Sequence, residues 1–162
     1  MASRDIIISV QELIDNDKYQ VFIYGSKAHL PFVFACHSWI VLNKKGLISR
    51  WEIIFRKNKN QDLGYLHIDD LPPFRGISII PFMSRIFSKG RMLGYIEGGS
   101  GSLAEEVLKF VEQSKSEYPY LKKYILTGPN SNTYVQWVLN KFPELKVKLS
   151  WHFIGKNYNI KI

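Results

Sequence analysis

Thr127-Gly-Pro-Asn-Ser-Asn-Thr-Tyr-Val-Gln136 places a glycine, a proline and a run of hydrogen-bonding side chains at a strand-to-helix junction. Before it, Lys123 to Leu126 has the aromatic and β-branched content of a short strand; after it, Tyr134, Val135, Val138 and Leu139 recur at helical spacing. The polar cluster therefore belongs to a helix N-terminus. There the first backbone N–H groups lack intrahelical partners and the helix dipole favours negative charge, so either a capping side chain or a bound anion is stabilised.

Upstream, Ser9-Val-Gln-Glu12 fits a capping box before Leu13 and Ile14, which predicts a short helix. Strand-like runs follow at Tyr19 to Tyr24, Pro31 to Leu42, Ile48 to Arg56 and Leu63 to Ile68, with Asn43 to Gly46 short enough for a hairpin turn. Sequential antiparallel pairing is the expected topology. From Leu71 to Gly99 the prolines Pro72, Pro73 and Pro81 interrupt an apolar excursion with some strand. Ser102-Leu-Ala-Glu105 then opens a second capping box, with Leu103, Val107, Phe110 and Val111 as the buried stripe of a helix to about Ser116. The helix after the junction runs to about Lys141 and stops before Pro143. These elements predict an α+β domain spanning residues 1–162, an antiparallel sheet with a few packed helices.

The composition, 46% hydrophobic with 14% aromatics, suits one continuous core. No run approaches the roughly 20 apolar residues of a bilayer span, and Met1-Ala-Ser-Arg-Asp5 lacks the parts of a signal peptide, so a cytoplasmic location is expected. Cys36 is the single cysteine, which excludes an internal disulfide and a thiolate zinc site. No metal or cofactor motif is present, and none is expected. The 22 Lys and Arg against 14 Asp and Glu give a formal net charge of +8, attractive to phosphates or an anionic membrane surface. Nucleic acid is not the expected partner, because no basic stripe interleaves with aromatics. A small-molecule or peptide ligand is; residues 71–91, where Phe74, Ile79, Phe82 and Phe87 mix with Arg75, Arg85 and Lys89, offer a candidate peripheral membrane contact.

His37 shares a strand face with Val33, Ala35, Trp39 and Val41, where an imidazole must find a hydrogen-bond partner. It is either a core histidine or a general base. Cys36 points to the opposite face, so chain adjacency makes no Cys–His dyad. His67 could approach His37 across the sheet, and Glu52, on one face with Arg50, Ile54 and Arg56, reads as a surface ion-pair residue. His29 and His152 have no supporting context. Gly98-Gly-Ser-Gly-Ser102 is a flexible turn, lacking the Lys-Ser/Thr ending of a P-loop.

Cys36-His-Ser-Trp-Ile-Val41 with Trp51-Glu52, and Leu126-Thr-Gly-Pro-Asn-Ser-Asn-Thr-Tyr-Val-Gln-Trp-Val-Leu139 with Ile154-Gly-Lys-Asn-Tyr158, resemble a bacterial family of uncharacterised proteins, domain of unknown function 3750. A more remote resemblance is to circularly permuted NlpC-like, papain-like proteins of the lecithin retinol acyltransferase-like group, with a strand histidine first and Asn-Cys-x-x-Phe-Val at a later helix start. Asn130-Ser-Asn-Thr-Tyr-Val135 looks like that motif with Ser131 in place of the nucleophilic cysteine. The resemblance implies a hydrolase or acyltransferase acting on an amide or ester. In it Ser131 would be nucleophile, His37 base, His67 or Glu52 the orienting group, and the N–H groups of Asn132 and Thr133 the oxyanion donors. The alternative is a non-catalytic module in which Asn130, Ser131, Asn132 and Thr133 hold an anionic or peptide ligand.

Overall fold

The computed structural model describes residues 10–32, 34–79 and 86–159. After a short helix α1 (Val10–Leu13) come β1 (Tyr19–Lys27), β2 (Cys36–Lys44), β3 (Leu47–Ile53), β4 (Leu66–Ile68), β5 (Arg91–Gly98), α2 (Leu103–Glu117) and α3 (Ser131–Lys141). The strands form one antiparallel sheet in the order β4-β3-β2-β1-β5. Consecutive pairing holds for β1 to β4, as the sequence predicts. The β2–β3 turn is Lys45-Gly46, both at positive φ, the backbone that a two-residue hairpin of matching twist requires.

Alternation along the strands feeds two apolar layers. Val21, Ile23, Ile40, Leu42, Trp51, Ile53 and Leu66 face α2 and α3, meeting Val107, Leu108 and Val111 of the first and Val135 and Val138 of the second. Phe22, Tyr24, Trp39 and Val41 occupy the other face under Leu13, Ile14, Phe74 and Tyr95. Burial on both faces explains why β1 and β2 read as near-continuous apolar runs rather than alternating ones. Ser102 caps α2 by accepting from Glu105 N, while the Glu105 carboxylate accepts from Gly101 N. The proposed Ser9 cap lies outside the described residues.

Two expectations need correction. Lys123 to Leu126 is not a strand: it closes on itself, with Ile125 N donating to Pro129 O and Gly128 N to Ile125 O, and Ile125 and Leu126 are left exposed. Sequential pairing also breaks at the last strand: the excursion before Gly99 does contain strand, β5, but it pairs with β1 rather than β4, from Tyr19↔Gly98 to Gly25↔Arg91. Within that excursion Phe74 turns inward, edge-on to Phe22 at 5.7 Å, so it is not free for a membrane. Residues 80–85 of the same segment lie outside the described residues. Among those described, no helix is long and apolar enough to cross a membrane.

At the end of the sheet away from the strand-to-helix junction, Glu97 accepts hydrogen bonds from Lys18, Tyr95 and Gln20. The Lys18 bond and then the Tyr95 bond hold its pKa down at about 2, against an ordinary value of 4.5. Because the folded-state value is the lower one, the carboxylate's contribution is complete above 4.5 and disappears as pH falls through about 2. Glu97→Gln is therefore expected to flatten the loss of Tm between these two pH values, measured by thermal scans at stepped pH in high and low salt.

Candidate functional site

The junction motif is a tie between three segments. Asn130 caps α3, its Oδ1 accepting from Asn132 N at 2.9 Å and Thr133 N at 3.3 Å, while its own N–H donates to Thr133 Oγ1. Its Nδ2 donates to Leu126 O and Ile154 O. Asn132 Nδ2 reaches Cys36 O on β2 at 2.9 Å and Ile154 O at 2.8 Å, and its Oδ1 accepts from Ser38 Oγ at 2.8 Å. Thr133 Oγ1 donates to Gly155 O. Gly155 has φ +89° and a Cβ there would lie 2.4 Å from Asn130 Nδ2, so only glycine lets the C-terminal segment come this close.

This accounting removes two expected roles. The Asn132 and Thr133 N–H groups are bonded to Asn130 Oδ1 and are not open oxyanion donors. The amides of Asn130 and Asn132 are likewise engaged with backbone carbonyls, so they are architecture rather than a ligand cradle. Ser131 is the exception: it is buried, and among the described residues its Oγ makes a single long contact, 3.5 Å to Asn132 Oδ1.

His37 lies on the opposite face of β2 from α3. Its ring stacks beside Trp39, centroids 6.0 Å apart, and its Nε2 is 2.7 Å from Glu52 Oε2. The flanking Cys36 packs on the helix side, and Ser38 bonds to Asn132 there. Glu52 is no surface residue: it is 1% exposed and Arg50 is fully buried. Arg50 Nη2 donates to Glu52 Oε2 at 2.8 Å, and its Nε sits 2.7 Å from Oε1, off the line of a hydrogen bond. The guanidinium also lies 4.2 Å over the Trp39 ring and donates through Nη1 to Pro72 O and Arg75 O. Burial alone would raise the Glu52 pKa, but the His37 bond and the Arg50 charge outweigh it and hold the carboxyl below its ordinary value. The result is an ionised carboxylate clamped between a cation and an imidazole.

Of the two residues expected beside His37, Glu52 is bonded to its ring and His67 is not. Glu52 and His67 are direct partners in the β3–β4 register. Yet His67 Nδ1 is 2.5 Å from Asp70 Oδ2 and Nε2 is 2.8 Å from Arg56 O, so neither ring nitrogen is left for His37. Arg50, whose buried charge completes the trio, was legible only as a residue sharing the Glu52 face.

A cavity of about 250 Å³ opens where the β1–β2 connection, the start of β2 and the junction motif meet. His29, Phe32, Phe34, His37, Leu126 and Ser131 line it. It thus brings His37 and Ser131 to one opening from two sides of the sheet, but no hydrogen bond joins them. His29, without context in the sequence, is held below its ordinary pKa by burial and then by the His37 charge. Burial pushes the Cys36 thiol up against the opposing pull of Lys27 and Arg91, which keeps it a thiol. A neighbouring groove of about 470 Å³, lined by Trp151, Lys156, Asn157 and Tyr158, shares Thr127 and Ile154 with the cavity. Among the described residues no group of three His, Cys, Asp or Glu side chains is placed to hold a metal ion.

A five-stranded antiparallel sheet with two helices on one face and a histidine cavity at its end defines the molecule as a small α+β domain. The chain belongs to the family described as protein of unknown function (DUF3750), whose model matches residues 18–158. No curated protein and no solved structure matches it.

Proposed function

We propose that this domain is a hydrolase or acyltransferase acting on an amide or ester, with His37 as the proton-transfer group and Ser131 as the attacking hydroxyl. The observation that supports it is the Glu52-held His37 opening on the same cavity as Ser131. A carboxylate can only accept, so with neutral His37 the proton sits on Nε2 and Nδ1 keeps the lone pair of a base. Burial of Glu52 and Arg50 fixes the ring in that tautomer, as an orienting carboxylate must. An alcohol has to lose its proton as it attacks, and a helix dipole worth about 0.3–1 kcal/mol cannot remove it unaided. Ser131 Oγ would add to the substrate carbonyl while His37 Nδ1 takes its proton, then returns that proton to the leaving group; water or a second acceptor would release the acyl group. Because the two residues meet only at the shared cavity, the proton would pass from Ser131 to His37 Nδ1 through a water or a substrate group held there, and the engaged N–H groups of Asn132 and Thr133 have no role in it.

The test uses a panel of p-nitrophenyl esters and anilides with a fluorophosphonate probe for an activated serine. Turnover should fall about 10²–10⁴-fold in His37→Ala, and both turnover and labelling should vanish in Ser131→Ala. Glu52→Gln should retain some turnover with a displaced pH profile. Unchanged turnover in Ser131→Ala would sink the reading.

The position of the imidazole on the face opposite α3, with no bond to Ser131, favours a second reading: a non-catalytic pocket for an anionic or peptide ligand. In that case a ligand would bind, no substrate would turn over, and binding would survive His37→Ala.

A further inference from the structure

Large apolar side chains stand in solvent around the cavity mouth. Phe34 and Leu126, which line it, are each 58% exposed, and Leu30, Phe55 and Ile86 are 48%, 49% and 49% exposed. They form one rim. Phe34 leads through Phe32 and His29 to Phe55 in ring-to-ring steps of 6.2, 6.2 and 6.1 Å. Leu30 N donates to Ile79 O, and Ile79 N to Ile86 O, which brings Leu30 and Ile86 to the same side. Exposed apolar residues are ordinarily scattered singly; a contiguous group around an opening marks an interaction surface.

The charge nearby narrows the partner. Lys27 pairs with Cys36 in the β1–β2 register, Arg91 pairs with Gly25 in the β1–β5 register, and both are exposed. Neither has an ion-pair partner among the described residues, and the chain carries +8 overall. A second copy would bring the same positive charge to the interface and repel it. An apolar rim flanked by unpaired cations matches a surface that is apolar within and anionic at its face.

We propose that the cavity rim docks onto an anionic lipid bilayer, with Leu30, Phe34, Phe55, Ile86 and Leu126 entering the boundary between headgroups and acyl chains, and Lys27 and Arg91 against the lipid phosphates. The cavity then opens toward the membrane. This differs from an amphipathic contact over residues 71–91, since Phe74 packs against the core and the rim draws on four separate segments, only one of which, at Ile86, falls in that range. The inference is independent of the chemistry at His37, because such a rim would serve a binding pocket as well as an enzyme.

The test is co-sedimentation of the full chain with vesicles of phosphatidylcholine alone or mixed with phosphatidylglycerol. Recovery with the anionic vesicles should exceed that with neutral ones by about tenfold at low salt and fall as salt screens the cations. Leu30→Asp with Phe55→Asp, neither residue lining the cavity, should reduce anionic recovery about tenfold with an unchanged circular dichroism spectrum and Tm. His37→Ala should bind vesicles like the parent, so a failed hydrolase reading with intact docking is recognisable. Equal recovery on neutral and anionic vesicles would overturn the proposal, as would undiminished binding by the double variant. A dimer in sedimentation velocity that the double variant dissolves would also overturn it, assigning the rim to self-association.

Discussion

Glu52→Ala is expected to lower the unfolding free energy by about 3–5 kcal/mol at pH 7, measured by urea or guanidinium denaturation, the cost of leaving a buried cation without its partner. Arg50 is fully buried, and removing the carboxylate leaves its Nη2 and Nε facing the alanine methyl and whatever water enters. His37 loses the Glu52 hydrogen bond at Nε2 in the same step. The double variant Arg50→Met with Glu52→Leu should recover most of that loss, because replacing both partners with apolar groups also removes the desolvation cost. If the single and double variants are equally unstable, the damage lies in packing around Trp39 and not in the orphaned charge. The pH dependence has a fixed sign. Glu52 is held below its ordinary pKa in the folded state, so its contribution is present above the unfolded carboxylate value and is lost as pH falls through the folded one. Parent and Glu52→Ala stabilities should therefore converge toward acid.

Why that trio was missed shows where sequence reading stops. Strand alternation put Arg50 and Glu52 on one face, but whether that face meets water depends on the chain from Pro72 to Arg75, which folds over it and takes Arg50 Nη1 through two carbonyls. Covering is a tertiary fact. The same limit applies to His67, whose pairing opposite Glu52 is real in the backbone register while its side chain is captured by Asp70, three residues onward. Alternation also separated Cys36 from His37; what it could not say is that α3 packs on the Cys36 side, placing Ser131 across the sheet from the imidazole.

Local signals fared better where the chain closes its own hydrogen bonds. Ser102 and the stripe of Val107 and Val111 announce α2, and Lys45-Gly46 announces a tight hairpin. Lys123 to Leu126 has strand-like residues but no partner strand, and its donors turn back within five residues. Strand β5 was legible only as some strand within a proline-broken stretch, because its bounds and its place at the sheet edge are set by pairing with β1, far earlier in the chain.

Asn130 separates capping from tying. Asn and Asp are equally good N-caps, so if Asn130 only capped α3, Asn130→Asp would be neutral or slightly stabilising through the helix dipole. Here the side chain also donates from Nδ2 to Leu126 O at 2.8 Å and Ile154 O at 3.0 Å. A carboxylate keeps the bonds from Asn132 N and Thr133 N but turns a lone pair toward both carbonyls. Asn130→Asp should therefore destabilise by about 1–2 kcal/mol, each lost hydrogen bond being worth about 1. Asn130→Ala forfeits the cap as well, for about 2–3 kcal/mol in all. The loss should be local before it is global: amide hydrogen exchange at Gly155 to Tyr158 should quicken in Asn130→Asp while α2 stays protected, because Ile154 is the point where the cap holds the C-terminal segment. Unchanged exchange there would mean that Asn132, which also donates to Ile154 O at 2.8 Å, carries the tie alone.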